Sequence, residues 1–448
     1  ILITTKQGQT GAPKITYDGN YSIVKNNPYL NLLDSEEYMT LSNIFNKENY
    51  LYNKHQGAYG PDPYDGLWTP IFSEEQIESA ETTNWKDYIL KTGSINNQNI
   101  TISGGTEKFK YYLGGNYYNY EGSVANANME RYSLRTNISS QILPFLKLTS
   151  IINVNQNLYT NSSVGGDTGN RGDHGSGALQ SALSYPPYLP VKDTEGNYSI
   201  YRNFPNPVAM LDISDNTRTD GYYSNLVADI DIIKNVLGIK LLYGVNKENT
   251  ERDLYIPSDL YFEQMYKSRG HIGNSERRNQ TMEASVTFNK EFFDILQLNA
   301  VAGLTKTIED FSGMDVSYEN ANDKIENENI GSAQGPYYPT SFIGKNEKRS
   351  QFARANLDFF DKYVIAATIR RDGTDKFFPE KKYAVFPSVS LAWKMSNERF
   401  IENISFLDLL KIRASYGQTG NDNLGTALYG VFSPSINYVK FGGGAVTY

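Results

Sequence analysis

The sequence predicts an all-β chain, an antiparallel transmembrane β-barrel with long extracellular loops. Three observations carry this. Side chains alternate with period two over successive segments, short and long connections between those segments alternate, and aromatic residues abound where long apolar runs are missing. The 448 residues include 35 Tyr, 21 Phe and 37 Gly against 7 Met and no Cys. Hydrophobic residues make up 39% and mean hydropathy is -0.52. A spanning helix requires ~20 consecutive, mostly apolar residues, and no such run occurs. A spanning strand needs lipid-facing residues only at every second position, so its average looks soluble. The net charge of -8 argues against a nucleic-acid binder, which needs a basic face to meet phosphates. The absence of Cys excludes disulfides and thiolate metal sites.

The opening residues Ile1-Leu2-Ile3-Thr4-Thr5-Lys6 show neither an initiator Met nor a signal peptide and read as the middle of a strand. The closing stretch Gly442-Gly443-Gly444-Ala445-Val446-Thr447-Tyr448 reads as a loop or strand start, so both ends are expected to be truncations. The first barrel strand is expected from Lys14 to Val24. A first outer loop follows from Leu30 to Lys91, with a short helix after Asp34 or Ser35 as N-cap. Asn99 to Ser103 and Phe109 to Tyr120 give the next two strands. The clearest alternation follows: Tyr132, Leu134, Thr136 and Ile138 share one face, and Arg131, Ser133, Arg135, Asn137 and Ser139 the other. An arginine at the lipid midplane costs ~2–4 kcal/mol, so the second face is the inner one.

The same unit recurs after tight links. Leu146, Leu148, Ile152 and Val154 follow Pro144-Phe145, with Ile151 breaking the polar set. Leu226, Ala228, Ile230 and Ile232 lead through Lys234-Asn235-Val236 to Ile239, Leu241, Tyr243 and Val245. Met282 to Phe288, then Leu296 to Leu304, form another pair. Ala353 to Phe359 turns through Asp361-Lys362 into Tyr363 to Ile369, and Val385 to Trp393 precedes Leu410 to Tyr416. Stretches rich in Gly, Asn, Asp, Ser and Tyr separate the hairpins, roughly Leu158 to Gly221, Lys247 to Asn279 and Thr307 to Arg349. Strict sorting of connections by length is expected of an outer-membrane barrel, with short periplasmic turns and long outer loops. About thirteen strands result, an odd number where single-chain bacterial barrels have an even one.

Several motifs, in order along nearly the whole chain, resemble the SusC/RagA family of TonB-dependent outer-membrane transporters. They include Ile1-Leu2-Ile3-Thr4-Thr5-Lys6-Gln7-Gly8, Ile100-Thr101-Ile102-Ser103-Gly104-Gly105, Arg131-Tyr132-Ser133-Leu134-Arg135-Thr136-Asn137, Phe386-Pro387-Ser388-Val389-Ser390-Leu391-Ala392-Trp393 and Lys411-Ile412-Arg413-Ala414-Ser415-Tyr416-Gly417-Gln418-Thr419-Gly420-Asn421. The resemblance implies that residues 1–13 end a plug domain and that residues 14–448 form the N-terminal part, about 13 of about 22 strands, of a barrel around a plugged lumen. It also implies a SusD-like surface lipoprotein as partner. TonB, driven by the inner-membrane proton gradient, would act through the plug. The plug body and its TonB-binding box are not in this sequence.

None of these motifs implies catalysis or a cofactor. Arg371-Asp372-Gly373 reads as the charged end of a strand, and Arg171-Gly172-Asp173 as a chance copy of an adhesion tripeptide. His55, His174 and His271 lie far apart in expected loops. Only His174 has carboxylates near it in sequence, Asp167 and Asp173, and Asp62 with Asp65 is a comparable weak calcium candidate. Sugar rings stack on flat apolar faces edged by hydrogen-bonding groups, so the loop aromatics Trp68, Trp85, Tyr185, Tyr188, Tyr337 and Tyr338 are the candidate substrate contacts. The expected function is active import of a bulky nutrient across the outer membrane, an oligosaccharide placed ahead of a peptide. The alternative is a secreted or surface-exposed all-β adhesin or glycan-degrading enzyme, which would need paired carboxylates in a cleft or a fixed repeat.

Overall fold

The computed structural model describes residues 7–26, 31–55, 68–161, 177–202, 205–258, 260, 268–293, 295–325, 329–401, 407–422, 439–441 and 444–446. A single antiparallel sheet of 13 strands in sequence order, β1 (Gly11–Val24) to β13 (Lys411–Gly417), makes up most of it. Between these lie β2 (Gly93–Gly105), β3 (Phe109–Glu121), β4 (Asn128–Leu143), β5 (Leu146–Thr160), β6 (Ser214–Ile233) and β7 (Leu237–Ile256). They are followed by β8 (Arg269–Phe292), β9 (Leu296–Glu319), β10 (Tyr337–Phe359), β11 (Tyr363–Thr374) and β12 (Tyr383–Lys394). A separate two-stranded ladder joins β14 (Val439–Phe441) to β15 (Gly444–Val446). No described helix is long and apolar enough to cross a membrane.

Register places the alternating residues on common faces. Ile100 pairs with Gly115, Gly115 with Leu134, Leu134 with Val154 and Val154 with Tyr222, so one apolar row crosses five strands. Further apolar rows lie towards the inner end, and together they form a belt whose large side chains are exposed, Leu134 at 58% and Leu304 at 59% among them. Leaving so much apolar surface in water would forfeit ~25 cal/mol per Å². A contiguous belt of this kind belongs against hydrocarbon.

The expected strands are present, yet they run much longer than the alternation indicates. β8 and β9 have 24 residues each, ~80 Å of extended chain, whereas the apolar band of a barrel is only ~25 Å tall. The expected loops from Lys247 and Thr307 are therefore mostly strand, whereas the one from Leu158 is strand only at its two ends. Above the belt both faces are wet, so the period-two signal vanishes while backbone pairing continues. The sorting of connections is also not strict. Residues 122–127 join β3 to β4 tightly at the outer end, and residues 395–410 form a longer link at the inner end.

The outer loops carry the buried core. α1 (Ser35–Asn53) is longer than the short helix expected and starts at a capping box: Asp34 accepts from the Glu37 amide at 2.8 Å, and Glu37 returns a bond to the Asp34 amide. α2 (Glu74–Glu78) and α3 (Trp85–Ile89) follow in the same loop, and α4 (Gly177–Ser184) lies in the loop between β5 and β6. Trp85, Ile89, Ala178, Ala182, Tyr185 and Met210 lead a cluster that joins the two loops. The sheet needs no such core, since its apolar face is turned outward.

The lumenal wall and the outer loop layer as candidate solute-facing surfaces

Opposite the apolar belt, the second face of β2–β7 is lined by amides. Asn99 pairs with Asn116, Asn116 with Ser133 and Ser133 with Asn155 in one row. The next row outward runs Asn97, Tyr118, Arg131, Asn157 and Thr219. The row towards the inner end carries Arg135, Asn153, Tyr223 and Asn246. These side chains hold one another: Asn116 donates to Asn97 and Asn99, each at 2.7 Å, and the Arg131 guanidinium stacks 5.0 Å from the Tyr118 ring centre. A Cβ added to Gly221 would meet Asn155 Oδ1 at 2.3 Å, so glycine there makes room for the neighbouring amide. Arg135 Nε and Asn153 Oδ1, on directly paired residues, are buried without a hydrogen-bond partner. Such orphaned groups are costly in isolation and suit a second polar surface packed on the wall.

Further round the sheet, the same face forms a recess of about 670 Å³ lined by Lys348, Arg370, Asp372, Lys382 and Asp422. Its charges are largely internal. Lys348 lies 2.5 Å from Asp422, Arg370 lies 2.7 Å from Asp372, and Arg370 also donates to Ser350 at 2.9 Å. Arg371-Asp372-Gly373 ends β11, as the sequence indicates, and Arg371 stacks 4.3 Å from the Tyr383 ring centre.

Above the wall, the loop layer assembles aromatics from distant segments. Trp85 Nε1 donates to the Pro186 carbonyl at 2.9 Å, and its ring meets Tyr185 edge-on with centres 4.8 Å apart. The Tyr185 hydroxyl donates to the Ser199 carbonyl at 2.6 Å. Beside this pair, Tyr188 contacts Phe72 at 5.1 Å and Tyr38 at 5.9 Å, and the Tyr38 and Tyr201 hydroxyls are 3.4 Å apart. Arg202 lies over Tyr201 at 5.2 Å. Burial pushes the Tyr38, Tyr185 and Tyr188 hydroxyls above their ordinary range, so all three stay protonated donors at neutral pH.

The six aromatics named from sequence therefore do not form one site. Trp85 and Tyr185, at 1% and 4% exposure, are the frame of the loop layer and offer no open ring face. Tyr188 is half-buried in the adjoining cluster. Trp68 lies against α1, where its Nε1 donates to Asn46 Oδ1 at 2.9 Å and Lys47 stacks over its ring. Tyr337 and Tyr338 are exposed at the outer start of β10, on opposite faces. The sequence reading missed Tyr38, Phe72, Tyr201 and Arg202. Nothing local distinguishes them, and only the packing of two loops brings them together. His271 lies within β8, bonded to Ser317, and not in a loop. His174, Asp62, Asp65, Asp167 and the Arg171-Gly172-Asp173 triplet lie outside the described residues.

A wide antiparallel sheet with an apolar belt on one face and an amide wall on the other defines a membrane barrel that encloses a polar interior. Residues 152–446 match the family described as TonB dependent receptor-like, beta-barrel, and the chain belongs to that family of outer-membrane barrels. It is 27% identical to TonB-dependent receptor P3 of Formosa agariphila over 95% of this chain and 40% of the relative. It is 23% identical to TonB-dependent receptor SusC of Bacteroides thetaiotaomicron over 95% of this chain and 41% of that protein. The RagAB peptide transporter structure matches 99% of this chain and 51% of its own chain, with a TM-score of 0.75 at 20% identity. The chain thus spans about 40% of the length of the curated relatives it matches. The curated relatives are named as TonB-dependent receptors, which speaks against the glycan-degrading alternative.

Proposed function

We propose that these residues belong to a TonB-dependent importer that moves a bulky polar nutrient across the outer membrane. In this reading residues 1–13 end the plug, residues 14–448 begin the barrel, a SusD-like lipoprotein delivers the solute at the outer face, and TonB acts through the plug. The observation that carries it is the amide wall of Asn97, Asn99, Asn116, Asn153 and Asn155. These amides match a hydroxyl-rich solute or a peptide backbone as uncharged donors and acceptors without trapping it, and Arg131 and Arg135 in the neighbouring rows add cationic donors. Tyr188 with Phe72 and Arg202, then Trp68, Tyr337 and Tyr338, are the proposed aromatic contacts above the wall. An oligosaccharide stays ahead of a peptide because these aromatics offer stacking faces beside hydrogen-bonding groups. The peptide reading draws on the fold likeness to RagAB, described as a peptide transporter.

The test is competitive uptake of labelled oligosaccharides and labelled peptides by cells carrying the full protein, with and without a protonophore. Oligosaccharide uptake abolished by the protonophore is the expected outcome. Uptake that survives collapse of the gradient would refute the energised mechanism, and peptide uptake alone would reverse the order of substrates.

A further inference from the structure

Just beyond the apolar belt, the outward face changes differently on the two halves of the sheet. Along each strand from β7 to β11, followed towards its outer end, the first charged residue after the belt is a cation. These are Lys247 beyond Val245, Arg278 beyond Met282, Lys306 beyond Leu304, Arg349 beyond Ala353 and Arg371 beyond Ile369. On β4 and β6 the order is reversed, with Glu130 following Tyr132 and Asp220 following Tyr222. The cationic arc is therefore local, in a chain whose net charge is -8.

Register makes the arc expensive. Lys247 sits directly opposite Arg278, and Lys306 directly opposite Arg349. Like charges facing each other on adjacent strands repel. Glu276, 2.9 Å from Lys247, and Glu347, 3.1 Å from Lys306 and bonded to Arg349, offset part of this. Asp310 sits directly opposite Arg278 and, on its other side, 3.6 Å from Lys345 of β10. Three carboxylates, Glu276, Glu347 and Asp310, thus stand among six cations, the five of the arc and Lys345. Arg349, Arg278 and Arg371 are exposed, with their guanidinium forks at the border of the hydrocarbon. A bidentate oxyanion seated between neighbouring strands would turn each repulsive pair into two charge-assisted contacts. The anions a bilayer presents at this height are the phosphates of its head groups.

We propose that the outer arc of β7–β11 is a binding site for phosphorylated lipid head groups of the outer leaflet, held by Lys247, Arg278, Lys306, Arg349 and Arg371. The proposal rests on the reading of this face as lipid-facing. Its consequence is an annulus of ordered lipid on one side of the barrel, which fixes the depth of that side, while the β1–β6 side carries none.

The experiment uses the full protein in phosphatidylcholine nanodiscs containing either bis-phosphorylated lipid A or its dephosphorylated form. Lipid retained after purification is read by mass spectrometry. Wild-type protein is expected to retain the phosphorylated form over the dephosphorylated form by roughly tenfold, and the quadruple variant K247Q/R278Q/K306Q/R349Q to lose that preference. A control that removes equal charge elsewhere, K110Q/K147Q/R218Q/K240Q, is expected to keep it. Equal retention of both lipids by wild type, or equal loss in variant and control, would overturn the proposal. Heat-dependent gel mobility reports folding, and the K306Q/R349Q double variant serves if the quadruple variant does not fold. Quenching of a tryptophan placed by V286W with brominated lipid tests the lipid-facing reading separately. If quenching fails, that reading falls. If quenching holds and the phosphate preference is absent, only the present proposal falls.

Discussion

Replacing lipid-facing residues of β4 by arginine at successive depths tests the face assignment quantitatively. The lipid face of β4 runs from Ile142 at the inner end through Ile138 and Leu134 to Tyr132. Those ten steps cover ~33 Å of strand, which at a tilt of ~40° is ~25 Å of height, the thickness of the apolar band. Ile138 is therefore close to the midplane, and Leu134 is ~10 Å higher, towards the outer interface. Ile138→Arg is expected to destabilise the folded barrel by ~2–4 kcal/mol, a factor of roughly 30 to 1,000 in the folding equilibrium, and Leu134→Arg by ~1 kcal/mol. Arg135→Ala, one residue away on the amide wall, removes a side chain whose Nε has no partner and is expected to change stability by less than ~0.5 kcal/mol. Reversible urea titration of the full protein in lipid vesicles, followed by tryptophan emission and gel mobility, gives the three values. Equal damage from Arg135→Ala and Ile138→Arg would refute the face assignment, and a larger effect at Leu134 than at Ile138 would refute the depth assignment.

Trp85→Ala removes the largest ring of the loop core and its bond to Pro186, a loss of ~3–5 kcal/mol. Rapid proteolysis within residues 177–213 with unchanged heat-dependent mobility of the barrel is the expected pattern, and barrel unfolding would contradict a separate loop layer. Tyr188→Ala is expected to lower the apparent affinity for the imported solute by roughly five- to tenfold with little change in maximal uptake, and unchanged uptake would remove Tyr188 from the contact set. At the inner end, Glu398 accepts from the Tyr363 hydroxyl at 2.7 Å, from Lys362 at 2.9 Å and from Trp393 Nε1 at 3.1 Å. These bonds, the Tyr363 one first, hold its carboxyl down at about 2 against an ordinary 4.5. Because its folded value is depressed, its contribution to the inner link is present above about 4.5 and fades as pH falls towards about 2. Hydrogen exchange across residues 395–401 should therefore quicken over that window, and Glu398→Gln should flatten the profile. Asp34→Ala, which breaks the capping box, is expected to cost ~1 kcal/mol of α1 stability, seen as faster exchange in its first turn.

Alternation made the sheet readable because one face meets lipid and the other meets polar groups. Leu134 and Arg135 differ by one position and by the whole width of the wall, and that contrast survives in one-dimensional sequence. It fails where the contrast ends. The outer halves of β8 and β9 have polar surroundings on both sides, so Asn274, Ser275 and Glu276 give no sign of a strand. The six aromatic candidates were chosen by type, and type does not encode burial. Trp85 and Trp68 look equivalent in sequence, but only Trp85 is enclosed, because α4 and Pro186 arrive from a segment about a hundred residues away. The asparagines of the wall were visible singly, as the polar partners of Leu134 or Val154. Their assembly into rows depends on register across neighbouring strands, which no single strand reveals.

The strand order also bears on how such a chain can reach its final form. Every strand from β2 to β12 pairs only with its neighbours in sequence, so no strand has to wait for a distant partner, and each new hairpin can add to an edge already made. The closure entropy of the inner turns is correspondingly small, with links as brief as Pro144-Phe145. The seam between Trp85 and Pro186 is different, because its two loops belong to separate hairpins. A chain built in this order would thread the bilayer progressively and fasten its outer loops only after β6 is in place. Assembly can thus be interrupted late, at the loops, without undoing the wall beneath them.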